Sequence, residues 1–132
     1  MNYLLDTHTL LWAIIDPARL SVKVKGIIEA PEHRILVSVL SFWEISLKYA
    51  LGKLDLEQVV PEDFPVLCEQ MDIEILPLSA EQCATYHQLI RLYHKDPFDR
   101  MLIWQAKRLN IPILSKDEQI KQYESDGVTV IW

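Results

Sequence analysis

Glycine is scarce in this chain, with three residues among 132: Gly26, Gly52 and Gly127. A phosphate-cradling loop of the P-loop or dinucleotide-binding type needs several closely spaced glycines, so those nucleotide folds are excluded. Cysteine is rarer still. Cys68 and Cys83 fall in segments that read as helical, match no zinc-ligand spacing and form no disulfide framework, which points to a reducing compartment. No apolar run approaches the roughly 18 residues of a membrane span. The opening Met1-Asn2-Tyr3-Leu4-Leu5-Asp6 has no cationic leader and no small-residue cleavage site, so a cytoplasmic protein with no membrane partner is expected. Basic residues are also in deficit, 13 Lys+Arg against 19 Asp+Glu for a net charge of −6. That excludes a broad nucleic-acid-coating surface, which draws on many phosphate–cation contacts. It leaves room for a local basic rim around a small site.

What the chain does have is apolar side chains, half of its residues, enough for one domain over 1–132 to bury a core without staples. Short apolar runs alternate with longer helical ones. Strands are predicted at 3–5, 35–39, 73–77, 113–115 and 128–131. Helices are predicted at 7–15, 20–30, 41–51 with Gly52 just past the end, 61–71, and from a capping box at Ser79 to residue 93. A further helix opens at Asp96-Pro97 and ends near Asn110, and a short one spans 116–123. Strands that are compact apolar runs separated by helices mean an α/β fold, with a parallel sheet covered on both faces. Trp12, Phe42, Trp43, Tyr49 and Trp104 are assigned chiefly to the core, with an exposed apolar patch that would mark a partner surface as the alternative for some of them.

In open parallel sheets, ligands bind beyond the carboxyl ends of the strands. Asp6 follows the first strand, and Asp117 follows the strand that ends at Ser115. Glu44, Asp96 and Asp99 stand in or at the start of helices that reach the same edge. Carboxylates brought together repel one another unless a cation intervenes. Hard divalent cations prefer oxygen ligands and promote phosphodiester hydrolysis. Each acid also has a plainer reading. Asp6 can cap the helix that begins at Thr7, Asp96 before Pro97 reads best as a cap, and Asp117 can cap the helix after it. Glu44, flanked by apolar Trp43 and Ile45, needs a partner if it is buried. His8 and His94 are expected to pack or hydrogen-bond rather than act chemically.

Four motifs then stand in order along the chain: Leu4-Leu5-Asp6-Thr7-His8, Ser41-Phe42-Trp43-Glu44-Ile45, His94-Lys95-Asp96-Pro97-Phe98-Asp99-Arg100 and Ile113-Leu114-Ser115-Lys116-Asp117. Together the sequence resembles a PIN-domain ribonuclease of the VapC toxin type, over essentially its whole length. The resemblance implies a three-layer α/β/α fold with a parallel sheet of four or five strands. It implies a Mg²⁺- or Mn²⁺-dependent endoribonuclease that hydrolyses RNA with a metal-activated water, a homodimer, and a cognate antitoxin protein as partner. It assigns Asp6, Glu44, Asp99 and Asp117 to catalysis and metal binding. Thr7, Asp96, Arg100, Ser115 and Lys116 are candidates for supporting those ligands or touching substrate. Lys95, Arg100 and Lys116 supply a basic rim or merely neutralise the adjacent acids. Two other readings stand beside this one. A Mg²⁺-binding receiver-like signalling domain needs an acceptor aspartate after the middle strand, where Pro77-Leu78-Ser79 stand instead. A non-catalytic binding module would use the acids only as caps.

Overall fold

The computed structural model describes residues 1–91 and 94–132. The first strand, β1 (Asn2–Leu5), is apolar on both faces: Tyr3 and Leu5 enter one core cluster and Leu4 enters another. β2 (Arg34–Ser38) divides Ile35 and Val37 from Leu36 in the same way, and β4 (Ile113–Leu114) divides Leu114 from Ile113. A strand apolar on both sides is stable only when both sides are covered. β3 (Ile73–Leu76) and β5 (Val130–Ile131) close the sheet, which is parallel throughout in the order β3-β2-β1-β4-β5.

One face is covered by α1 (Thr7–Ile15), α2 (Val22–Glu29) and α4 (Asp63–Gln70), whose Leu10, Val24, Phe64 and Cys68 pack with Leu5, Val37 and Leu114. The other is covered by α6 (Pro97–Leu109) and α7 (Glu118–Lys121), with Leu102, Ile103 and Ile120 against Leu4, Leu36 and Ile113. Between these, α3 (Val39–Ala50) gives Ile45 to the first cluster and Leu40 to the second. This is the expected three-layer α/β/α arrangement. No helix among the described residues is long and apolar enough to cross a membrane.

Local chemistry sets the element ends. Ser79 and Gln82 form a reciprocal capping box at α5 (Ala80–Thr85), with bonds of 3.0 and 3.2 Å. Asn110 ends α6 at φ 53°, and Gly52 follows α3 at φ 70°, the left-handed conformation that glycine adopts without strain.

Several predicted boundaries move. The segment predicted as one helix from Ser79 to residue 93 is helical only over α5, with a 3₁₀ turn at Tyr86–Gln88. Thr85 bonds back to the Glu81 carbonyl at 2.7 Å, a contact that weakens a helix, and Leu89 turns into the core. Residues 92 and 93 lie outside the described part. The predicted helix 116–123 shortens to α7 followed by a 3₁₀ turn at Gln122–Asp126. Strand 35–39 stops at Ser38, whose hydroxyl accepts from Leu40 N and starts α3 two residues early. Two core assignments fail as well. Trp43 is 63% exposed and Tyr49 43%, because α3 turns Ser41, Glu44 and Ile45 inward instead. Trp43 keeps only an edge-on contact with Phe98, 5.4 Å between ring centres.

Leu5 is fully buried between Val37 and Leu114. Leu5→Ala is expected to lower unfolding free energy by about 2–5 kcal/mol, the range for a large buried aliphatic, read from urea denaturation midpoints. A loss below about 1 kcal/mol would contradict that placement.

Candidate functional site

The sheet reverses its winding at β1, with β2 on one side and β4 on the other. The crevice beyond the carboxyl ends at such a point is where open α/β sheets bind ligands. Here the register builds the site. Leu5 pairs with Leu114, so the next residues, Asp6 and Ser115, come level. Ser115 Oγ donates to Asp6 Oδ2 at 2.5 Å and accepts from Asp117 N at 3.1 Å. Asp6 Oδ1 accepts from Thr9 N at 2.8 Å and so caps α1. Capping and a role at the crevice are therefore compatible for Asp6, because each uses a different part of the carboxylate. Asp6 is 3% exposed. Burial raises its pKa, against the lowering effect of hydrogen bonds from Ser115 and Thr9.

The second carboxylate comes from α3, where Ser41, Glu44 and Lys48 share one face at spacings of three and four. Glu44, 2% exposed, has the partners that a buried charge requires. Thr7 Oγ1 donates to its Oε1 at 2.6 Å and lies 3.0 Å from Ser41 Oγ. Lys48 Nζ forms an ion pair with Oε2. Burial alone would lower the pKa of Lys48. The bond to Glu44, aided by the charges of Asp96 and Asp99, raises it instead.

The amino end of α6 brings the rest. Asp96 Oδ1 caps the helix by accepting from Phe98 N at 2.9 Å and Asp99 N at 3.3 Å. Asp99 Oδ2 lies 3.1 Å from His94 Nε2. A helix amino terminus favours an ionised carboxylate, yet the Asp99 pKa is pushed up to about 8. Burial and repulsion from Asp96, Glu44, Asp6 and Asp117 outweigh the helix. That repulsion places Asp96, Glu44, Asp6 and Asp117 within electrostatic reach of Asp99. The tightest grouping among the described residues is His94, Asp99 and Asp117, with one ligand atom from each within 4.8 Å of the others. Asp6 and Glu44 stand outside it, their oxygens engaged by Thr9, Ser115, Thr7 and Lys48. Asp117 Oδ1 also caps α7 through Gln119 N at 2.8 Å.

Thr7 and Ser115 thus hold carboxylates directly. Lys116 is exposed beside a cavity of about 340 Å³ that it lines with Asp6, His8, Trp12 and Asp117. Of the two readings of Arg100, neutralisation of its acidic neighbours does not hold: it pairs with neither Asp96 nor Asp99 among the described residues. One helical step past Asp99, its side chain turns inward to the hydroxyls of Tyr86 and Tyr123. One residue was missed by sequence reasoning: Lys48 was legible from its place four residues after Glu44 on a helix. His94 makes the hydrogen bond expected of it, to Asp99, but only the fold brings it beside Asp117.

The fold is a parallel α/β/α sheet with acids gathered beyond its switch point. The chain belongs to the PIN-domain family, whose model matches residues 3–125. The fold is similar to a chain in the crystal structure of VapBC2 from Rickettsia felis bound to a DNA fragment from their promoter. That match has a TM-score of 0.67 at 18% identity, over 99% of this chain and 98% of that one. A chain of VapBC-1 from nontypeable Haemophilus influenzae gives 0.65 at 20% identity, over 99% and 97%. A chain of FitAcB from Neisseria gonorrhoeae gives 0.59 at 22%, over 98% and 96%. Among curated proteins none matches significantly.

With Asp99 at about 8 when folded and near its usual 3.8 when unfolded, the folded chain keeps a proton between those values that the unfolded chain has released. Linkage then makes stability fall as pH rises from about 4 to 8. In chelator, Asp99→Asn is expected to flatten that decline and raise the melting temperature at pH 8. An identical pH dependence in both proteins would contradict the raised pKa.

Proposed function

We propose that the chain is a divalent-metal-dependent endoribonuclease and the toxin of a toxin–antitoxin pair. The observation that carries this reading is that Asp99 groups with His94 and Asp117 and lies within electrostatic reach of Asp6 and Glu44 beyond the switch point. The donor set fits Mg²⁺ or Mn²⁺. It offers carboxylate oxygens and one imidazole, with no thiolate near. The raised Asp99 pKa marks a group of acids short of positive charge. Asp99 and Asp117 would hold the ion, with His94 beside them, and Asp6 and Glu44 would complete its surroundings. A bound divalent ion supplies a polarised phosphoryl oxygen and a readily deprotonated water.

The chain's own residues do the remaining work. Ser115 and the amide of Thr9 fix both oxygens of Asp6, and Thr7 and Lys48 fix both of Glu44. The acids are thereby held in place before any substrate arrives, which lowers the reorganisation needed during reaction. Lys116 stands exposed at the crevice, where a substrate phosphate can meet it. Support for the partner comes from the fold neighbours, which are VapBC and FitAB assemblies. On this reading the chain acts in the cytoplasm, pairs as a homodimer and is neutralised by its own antitoxin.

The test is cleavage of a labelled RNA by purified protein in Mg²⁺ or Mn²⁺. Cleavage is expected in the wild type, absent in chelator, and absent in Asp6→Asn combined with Asp99→Asn. Equal cleavage by the wild type and that double variant would end the reading. Ser115→Ala removes only a support for Asp6 and is expected to weaken metal affinity or activity by about 10- to 100-fold, measured by Mn²⁺ titration calorimetry alongside the cleavage rate.

A further inference from the structure

Among the described residues, Arg100 carries a charge that no carboxylate balances. Its guanidinium is always protonated, and the residue is 9% exposed. Nε donates to Tyr86 Oη at 2.9 Å, Nη1 to Tyr123 Oη at 2.6 Å and to the Ile90 carbonyl at 3.3 Å, and Nη2 to the Leu89 carbonyl at 3.4 Å. Every partner is neutral. Among the described residues no carboxylate lies within ion-pair distance of it, whereas Arg19, Arg34 and Arg108 each have one. A buried cation without an anion is unfavourable.

The same guanidinium borders a cavity of about 360 Å³. His87, Arg91, His94 and Lys95 also line it, and no acidic residue is among its lining. In a chain of net charge −6, this is a concentrated basic pocket. It also adjoins the acidic crevice, because His94 forms part of its wall and lies 3.1 Å from Asp99.

We propose that this cavity is a phosphate subsite, which holds a phosphodiester of the RNA strand next to the one that is cut. The inference rests on the ribonuclease reading and adds where the strand is gripped. Arg100 supplies fixed charge at the wall, and the exposed Arg91 and Lys95 supply the reach. The pocket offsets the repulsion that a polyanion meets at the carboxylates. It is also the local basic rim that an acidic chain needs if it is to bind RNA at all.

The test measures binding of a fluorescently labelled oligoribonucleotide to the full chain in EDTA, between about 50 and 200 mM salt. Arg91→Ala combined with Lys95→Ala is expected to weaken binding at least fivefold at low salt, whatever the RNA sequence. The slope of log affinity against log salt should shrink by about 1.4, near 0.7 for each lost phosphate contact on a single strand. Lys23→Ala combined with Lys25→Ala removes the same charge from α2 and should leave the slope unchanged. An unchanged slope in the first pair, an equal change in both pairs, or no measurable wild-type binding would overturn the proposal. So would dependence on Arg91 and Lys95 for inorganic phosphate alone, or for a poly-glutamate peptide but not RNA. Wild-type cleavage in Mn²⁺ separates the two claims. Cleavage with an unaffected slope removes the subsite and leaves the nuclease. A slope that shrinks as expected without any cleavage removes the nuclease reading and leaves an RNA-binding pocket.

Discussion

Repulsion among carboxylates confined at one edge of the sheet is the constraint around which this molecule is arranged. Two unit charges 4 Å apart repel by about 4 kcal/mol at an effective dielectric near 20. A domain of this size has about 5–15 kcal/mol of stability in total. Charge gathered around Asp99 by Asp96, Glu44, Asp6 and Asp117 calls for some relief. Two forms of it are at hand. Lys48 places an ammonium against Glu44, and burial with repulsion from its neighbours pushes the Asp99 pKa up to about 8. On the proposed nuclease reading, a divalent ion would be a third form, one that takes the place of the proton.

The scaffold explains how such an arrangement persists. Parallel strands in register bring Asp6 level with Ser115, and tightly packed Leu4, Leu5, Ile113 and Leu114 fix that register. Three short hydroxyl side chains then do the local positioning. Ser115 links Asp6 to the backbone of Asp117, Thr7 holds Glu44, and Ser38 starts α3 at the phase that turns Glu44 inward. Capping serves the site too. Asp6, Asp96 and Asp117 each fix a helix start with a carboxylate oxygen, so their positions are set by backbone amides rather than by flexible side chains alone.

Much of this was legible in the sequence, for identifiable reasons. β1, β2 and β4 read as buried strands because their apolar runs are continuous. The openings at Ser79 and Asp96-Pro97 read as helix starts because the capping chemistry is local. The acids could be placed at one edge by the rule for parallel sheets together with the PIN resemblance. What could not be read depended on contacts far apart in the chain. The early end of α5 goes with Leu89 entering the core against residues of α6 and β4. The exposure of Trp43 follows from Glu44 and Ile45 taking the inward face of α3. For Arg100 the sequence left a basic rim and neutralisation of the adjacent acids both open, and only the fold turns it toward Tyr86 and Tyr123, 14 residues before it and 23 after. His94 joins Asp117 only through the fold.

The central claim is that a proton and a divalent ion are alternative occupants of one acidic crevice. Isothermal titration of Mn²⁺ into the metal-free chain at pH 7, repeated in buffers of different ionisation enthalpy, measures this directly. The account requires saturable binding with release of about one proton per bound ion, as expected for a carboxyl group that titrates near 8 and must ionise to coordinate metal. Binding with no proton release, or no saturable binding, would contradict it.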